Sequence, residues 1–132
     1  MIIDYINRYK DFRPDFPDGN TNHLPMAVYA IYMLGGSFRD LESFAKEYTL
    51  SHNLQNSSSE SYSSISITNW SENLGNRKYY EDYRNFYKAE LLKLGRDKCV
   101  EIYFHRLVQV EASEAYHCFL KIAYAVESNN DQ

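Results

Sequence analysis

The chain has little of what marks several common protein classes. Its 132 residues hold two cysteines, Cys99 and Cys118, too few for a disulfide scaffold. Both fall in helical patterns beside apolar residues, so buried thiols in a reducing cytoplasm are expected. There is no Lys/Arg run and the net charge is -4, which argues against a nucleic-acid surface. The longest apolar run, Met26 to Leu34, falls far short of the roughly 20 residues that a membrane span needs. The opening MIIDYINRYKDF lacks a basic segment followed by an apolar one, so it does not read as a signal peptide. A soluble, cytoplasmic protein without membrane contact is expected. No phosphate-binding glycine loop, dinucleotide fingerprint or zinc spacing occurs, and no Ser, Cys or Thr carries a catalytic signature.

What is present is apolar and aromatic. Hydrophobic residues make up 44% of the chain, enough for the core of one domain over 1–132. Aromatics reach 16%, with 13 Tyr and 7 Phe but one Trp. Tyrosines can line a pocket for a flat ligand, and they also pack ordinary cores with the hydroxyl at the rim.

The hydrophobic periodicity is helical. Ile2, Ile3, Ile6 and Tyr9 give a short amphipathic helix. FRPDFPDGN (12–20) holds two prolines and a glycine and reads as a loop. Asn22 then offers a capping oxygen, and Pro25 falls in the first turn, where a missing N–H costs least. If Asn22 caps, it should take the N–H of Leu24. The helix at 22–34 is apolar on all sides, which predicts a buried central helix, stopped by Gly35 or Gly36. Ser37 starts a second helix with Asp40 as a capping box, and Phe38, Leu41, Phe44, Ala45 and Tyr48 share one face. The two form a tight helical hairpin.

Residues 51–68 form a long polar loop that can serve as a surface connection or a lid. Asn69-Trp70 opens a helical turn ending near Gly75. Tyr79, Tyr80, Tyr83, Phe86, Tyr87, Leu91 and Leu94 stripe a helix at 78–94, closed by Gly95. Asp97 begins another helix, with Val100, Tyr103, Phe104, Leu107 and Val108 inward. After a break at Glu111 to Ser113, a last helix carries Tyr116, Phe119, Leu120, Ala123 and Val126. No stretch alternates with period two. The expectation is an all-α bundle of five or six helices around the 22–34 helix.

Two histidines stand out. His23 opens the apolar helix, where the macrodipole disfavours imidazolium. A neutral ring there can act as base, hydrogen-bond partner or ligand, or simply cap and pack. His117 begins the last helix, preceded by Glu114. Glu-x-x-His is half of a di-iron pattern, which needs a second such pair, and only one is present, so no metal site is expected. His105 falls on a polar side, and His52, at the edge of the polar loop, receives no role. Tyr79, Tyr83 and Tyr87 either present hydroxyls to a quinone-like ligand or pack the core.

Two segments together resemble the questin oxidase-like family. NHLPMAVYAIYMLGGSFRDLESFAKEY (22–48) is similar to the family's N-terminal motif. EASEAYHCFLKIAYAVESNND (111–131) resembles its later motif, where an aromatic-His pair begins a helix containing Ala-Tyr-Ala. The spacer agrees in outline through Trp70, Asn73-Leu74-Gly75, the Tyr-rich helix and Gly95. The chain resembles roughly the first third of the usual family member. The resemblance implies a helical fold and a Baeyer–Villiger-type oxidation of an anthraquinone that draws on NADPH and oxygen. It implies His23 and His117 as catalytic positions with Tyr124 near the second as a substrate contact, and Tyr79, Tyr83 and Tyr87 of the Tyr-rich helix are expected as further walls of the pocket. So short a helical module would leave apolar faces uncovered, which favours a homodimer. Two readings follow. One is an oxidoreductase-related domain whose pocket takes a flat aromatic or quinone-like molecule. The other is a non-catalytic helical binding protein acting as a homodimer.

Overall fold

A computed structural model of the chain describes residues 2–16, 18–109 and 117–130, leaving aside the side chains at 108, 109 and 118. The all-α expectation holds. Among the described residues six α-helices follow in order: α1 (Ile2–Ile6), α2 (Leu24–Met33), α3 (Phe38–Ser51), α4 (Tyr80–Leu94), α5 (Arg96–Gln109) and α6 (His117–Ser128). Short 3-10 turns extend α1 through Tyr9 and lead into α4 from Arg77. Among the described residues, extended pairing is limited to two isolated bridges, Phe12–Asn56 and Asp15–Thr21. No described helix is long and apolar enough to cross a membrane. The expectations for Val108, the break at Glu111 to Ser113, Glu114, Tyr116 and the Cys118 thiol lie outside the described residues.

The chain forms two compact units. The first comprises Met1–Ser57 and Tyr124–Asn130, the second Ser58–Ala123. In the first, α1, α2 and α3 bury Tyr5, Ile6, Leu24, Val28, Leu41 and Ala45 together. The start of α2 follows from its sequence. Asn22 Oδ1 accepts the Leu24 N–H at 3.0 Å, as the position of Pro25 requires. The Asn22 N–H donates to Pro14 O at 2.9 Å and its Nδ2 to Arg13 O at 3.0 Å, so one side chain ties the preceding loop to the helix. Asn22 is 6% exposed, and each of these bonds satisfies a group that burial would otherwise strand.

The end of α2 corrects one expectation. The helix is not buried all round. Leu24 and Val28 are fully enclosed, but Tyr32, Met33 (60% exposed) and Leu34 (88%) face outward. α1 with its 3-10 extension and α3 bury one face of α2 and leave its last turn uncovered, because the hairpin turns away immediately after it. Gly35 makes that turn at φ +89, a left-handed value that favours glycine. Ser37 then accepts the Asp40 N–H while Asp40 Oδ2 accepts the Ser37 N–H at 2.8 Å, the expected capping box of α3. The Ser37 hydroxyl, which donates to Asp40 Oδ2 at 2.6 Å, and after it the Ser37 N–H hold the Asp40 carboxyl below its usual range.

In the second unit α4 packs on α5, and Phe86, Cys99 and Tyr103 form a buried cluster with Ile65, Trp70, Tyr87, Leu91, Leu94 and Leu107 against it. The expected burial of the Cys99 thiol holds. Gly95, at φ +78, separates the two helices. Asp82, buried in α4, anchors the polar connection. It accepts from the Ser61 hydroxyl and from the Tyr62 N–H at 3.1 Å. The Ser61 hydroxyl, aided by the N–H groups of Tyr62 and Ser63, holds this carboxyl below its usual range against the opposing effect of burial.

Candidate functional site

The Asn22-His23-Leu24-Pro25 entrance divides between fold and chemistry. Asn22 supplies the cap, Leu24 is wholly enclosed, and Pro25 occupies the first turn of α2. His23 is held through its main chain: its N–H donates to the Tyr48 hydroxyl at 3.0 Å. Two of the helix's open N–H groups are thus satisfied from outside, and a third position is a proline that has none. His23 as a residue is half-buried.

Tyr48 brings in a residue that the sequence reading passed over. His52, the residue that ends α3, stacks on Tyr48 with centroids 4.1 Å apart and on Phe16 at 5.3 Å. Its Nδ1 lies 3.0 Å from the Tyr48 carbonyl oxygen and 3.0 Å from Ser51 Oγ. A carbonyl only accepts, so Nδ1 carries the proton toward it and Nε2 is the basic nitrogen of the neutral ring. Tyr48 therefore joins two histidines, one through its hydroxyl and one through its face. The available sequence signal was local: a histidine following Ser51 at the end of a predicted helix, where orphan carbonyls seek donors.

The other expected site residues are placed as follows. Tyr124, in the first unit, donates its hydroxyl to Met26 O at 2.5 Å and meets the Tyr29 ring edge-on at 5.0 Å. Burial, then the neighbouring Tyr29, pushes its phenol above the usual range. His117, half-buried at the start of α6, belongs to the second unit. Tyr79 lies in the 3-10 turn before α4, with the Lys78 ammonium 5.9 Å from its ring. Tyr83 and Tyr87 stack at 6.2 Å, and the Tyr83 hydroxyl donates to Trp70 O at 2.5 Å. Tyr87 packs against the buried cluster of α4 and α5. So His23 gathers with Tyr48 and His52, Tyr83 gathers with Tyr87, and Tyr124 turns to α2.

The residues that open the helices bear on any bound dinucleotide. A pyrophosphate seeks free N–H groups at a helix start. Here α2 and α3 are capped by Asn22 and Ser37, and α4 and α5 carry Glu81, Asp82 and Asp97 in their first turns. These four starts do not fit the pyrophosphate of NADPH. Among the described residues no group of three or more His, Cys, Asp or Glu is arranged to hold a metal ion.

The model of one protein family, described as Questin oxidase-like, matches residues 20–132, from just before the Asn22-His23 entrance to the last residue. No curated protein and no solved structure matches the chain.

Proposed function

The chain belongs to the questin oxidase-like family, and on that premise we propose that it is an oxidoreductase that binds a flat aromatic or quinone-like molecule and oxidises it with NADPH and oxygen in the cytoplasm. The observation that carries this reading is the corner around His23. Asn22, Leu24 and Pro25 of the entrance are spent on the fold, while His23 is fixed by its main chain beside the stacked rings of Phe16, His52 and Tyr48. A half-buried histidine anchored through its main chain to a tyrosine whose ring stacks on a second imidazole suits the orientation of a planar carbonyl compound, or removal of its proton. In the same unit Tyr124 is proposed as a substrate contact; in the second unit, taken by itself, His117 is proposed as a catalytic residue and Tyr79, Tyr83 and Tyr87 as substrate contacts. NADPH enters this reading through the family alone, since the starts of α2 to α5 do not suit its pyrophosphate.

Incubation with hydroxylated anthraquinones, NADPH and air, followed by absorbance and product mass, tests the proposal. Turnover that falls about 100-fold in His23→Ala supports it. Turnover unchanged in both His23→Ala and His117→Ala overturns the site. No turnover and no spectral shift on adding the quinones overturns the function.

A second reading has its own observation. Tyr32, Met33, Leu34 and Phe38 leave large apolar surface exposed at the hairpin of α2 and α3. A non-catalytic homodimer closing over that hairpin would bury it. A solution mass of one chain sinks that reading.

A further inference from the structure

The second unit contains a pairing, Tyr103 with Glu90, that has no part in the proposed substrate site. Tyr103, 2% exposed on α5, donates its hydroxyl to Glu90 Oε2 on α4 at 2.7 Å. Its ring touches Trp70 at 5.0 Å and Tyr87 at 5.4 Å, both nearly perpendicular, and Tyr87 stacks on Tyr83. Phe86 closes the cluster at 5.7 Å. Four oxidisable rings are thus in direct succession: Trp70, Tyr103, Tyr87 and Tyr83. Trp70 and Tyr83 are half-buried and reach the rim, whereas Tyr103 lies inside.

A phenol that loses an electron becomes a strong acid. The oxidised state persists only where a base can take the proton. The Tyr83 hydroxyl faces the Trp70 carbonyl, an amide oxygen too weakly basic for this. The Tyr103 hydroxyl faces a carboxylate, which is basic enough and already aligned. Glu90 is itself steadied by Lys93, 3.7 Å from its other oxygen.

We propose that this cluster is a one-electron relay in which Tyr103 is the resting place of the oxidised state and Glu90 its proton acceptor. The oxidant is a one-electron acceptor of high potential, such as an organic radical, meeting Trp70 or Tyr83 at the rim. One electron leaves Tyr103 through its neighbour's ring and reduces the oxidant. The phenolic proton crosses to Glu90. The products are a neutral phenoxyl radical, a carboxylic acid and the reduced oxidant, and an electron returning from a donor draws the proton back to the phenol. Tyr87 and Tyr83 are also proposed substrate contacts, but the relay needs no quinone and stands on the rings of the second unit and Glu90 alone.

The experiment uses the full chain without substrate. Ruthenium(III) tris-bipyridine, generated by a laser flash with a quencher, supplies the oxidant, and phenoxyl absorbance and electron paramagnetic resonance supply the readout. The expected result is a long-lived phenoxyl signal whose formation slows in D2O. Glu90→Gln keeps a hydrogen-bond acceptor but removes the base, so most of the long-lived signal and its D2O dependence are lost. Tyr103→Phe removes the signal, with circular dichroism reporting the fold. If Tyr103→Phe does not fold, Glu90→Gln decides alone. An equal long-lived signal in Glu90→Gln traces the radical to exposed tyrosines such as Tyr62 and overturns the relay. So does the absence of that signal from the unmodified chain.

Discussion

The hydroxyl of Tyr48 accepts the backbone N–H of His23 across 25 residues of sequence. This bond fixes the entrance of α2 against the end of α3 without using the imidazole. Tyr48→Phe deletes the acceptor and leaves the His23 N–H to be satisfied otherwise, at a cost of about 1 kcal/mol in denaturant unfolding. The same variant keeps the ring that stacks on His52, so it should lower stability while His52→Ala also frees Phe16.

Asn22 makes a harder test of the same corner. Asn22→Ala strands the Leu24 N–H and the Arg13 carbonyl in a nearly closed environment. A loss of about 2 kcal/mol is expected. Asn22→Asp keeps the acceptor for Leu24 but not the donor to Arg13, and should fall between the two. A loss in Asn22→Ala no greater than at an exposed site would contradict the assignment.

Gly35 and Gly36 should respond differently to alanine. Gly35 has open space around it but stands at φ +89, so Gly35→Ala costs about 1 kcal/mol of backbone strain. A Cβ on Gly36 would lie 2.5 Å from Ile31 Cγ2 and 2.8 Å from Ile31 O. The carbonyl belongs to the helix backbone and cannot move aside cheaply, so Gly36→Ala costs about 2 kcal/mol or more. Paired thermal melts would rank them.

Asp82 gives the connection at 58–66 a pH dependence. Its carboxyl is held below the ordinary value of 3.8 by Ser61 and the N–H groups after it. A depressed native pKa contributes stability that is complete above the unfolded value and is lost as pH falls through the native one. The amides of Tyr62 and Ser63 should therefore exchange slowly at neutral pH and open under acid, below the ordinary carboxylate range. Asp82→Asn should show open amides already at neutral pH, read by hydrogen exchange.

Alkaline titration reports the buried phenols. Burial raises Tyr5, Tyr103 and Tyr124 above the usual phenol range, with Tyr9, Glu90 and Tyr29 respectively adding to it. Raised native values contribute stability that is present below the unfolded pKa of 10 and disappears as pH rises through the native ones. The ultraviolet titration should show a group of tyrosines ionising only as the helical circular dichroism collapses. A single smooth titration of all 13 with the helices intact would be inconsistent with this packing.

Local chemistry is what the sequence determined by itself. Asn22 with Pro25, Ser37 with Asp40, and glycines at 35 and 95 act within a few residues of their own positions, so helix starts and stops were legible along with the all-α class and the family. Burial was less legible. The apolar run of α2 announces a core helix, yet its last turn is exposed, because one-dimensional hydrophobicity counts the residues and not the neighbours available to cover them. The gathering of His23 with Tyr48 and His52, the turn of Tyr124 toward Met26, and the facing of Tyr103 with Glu90 are decided only by tertiary structure. Each depends on the distance and orientation between elements separated in sequence, and no periodicity within either element encodes that relation.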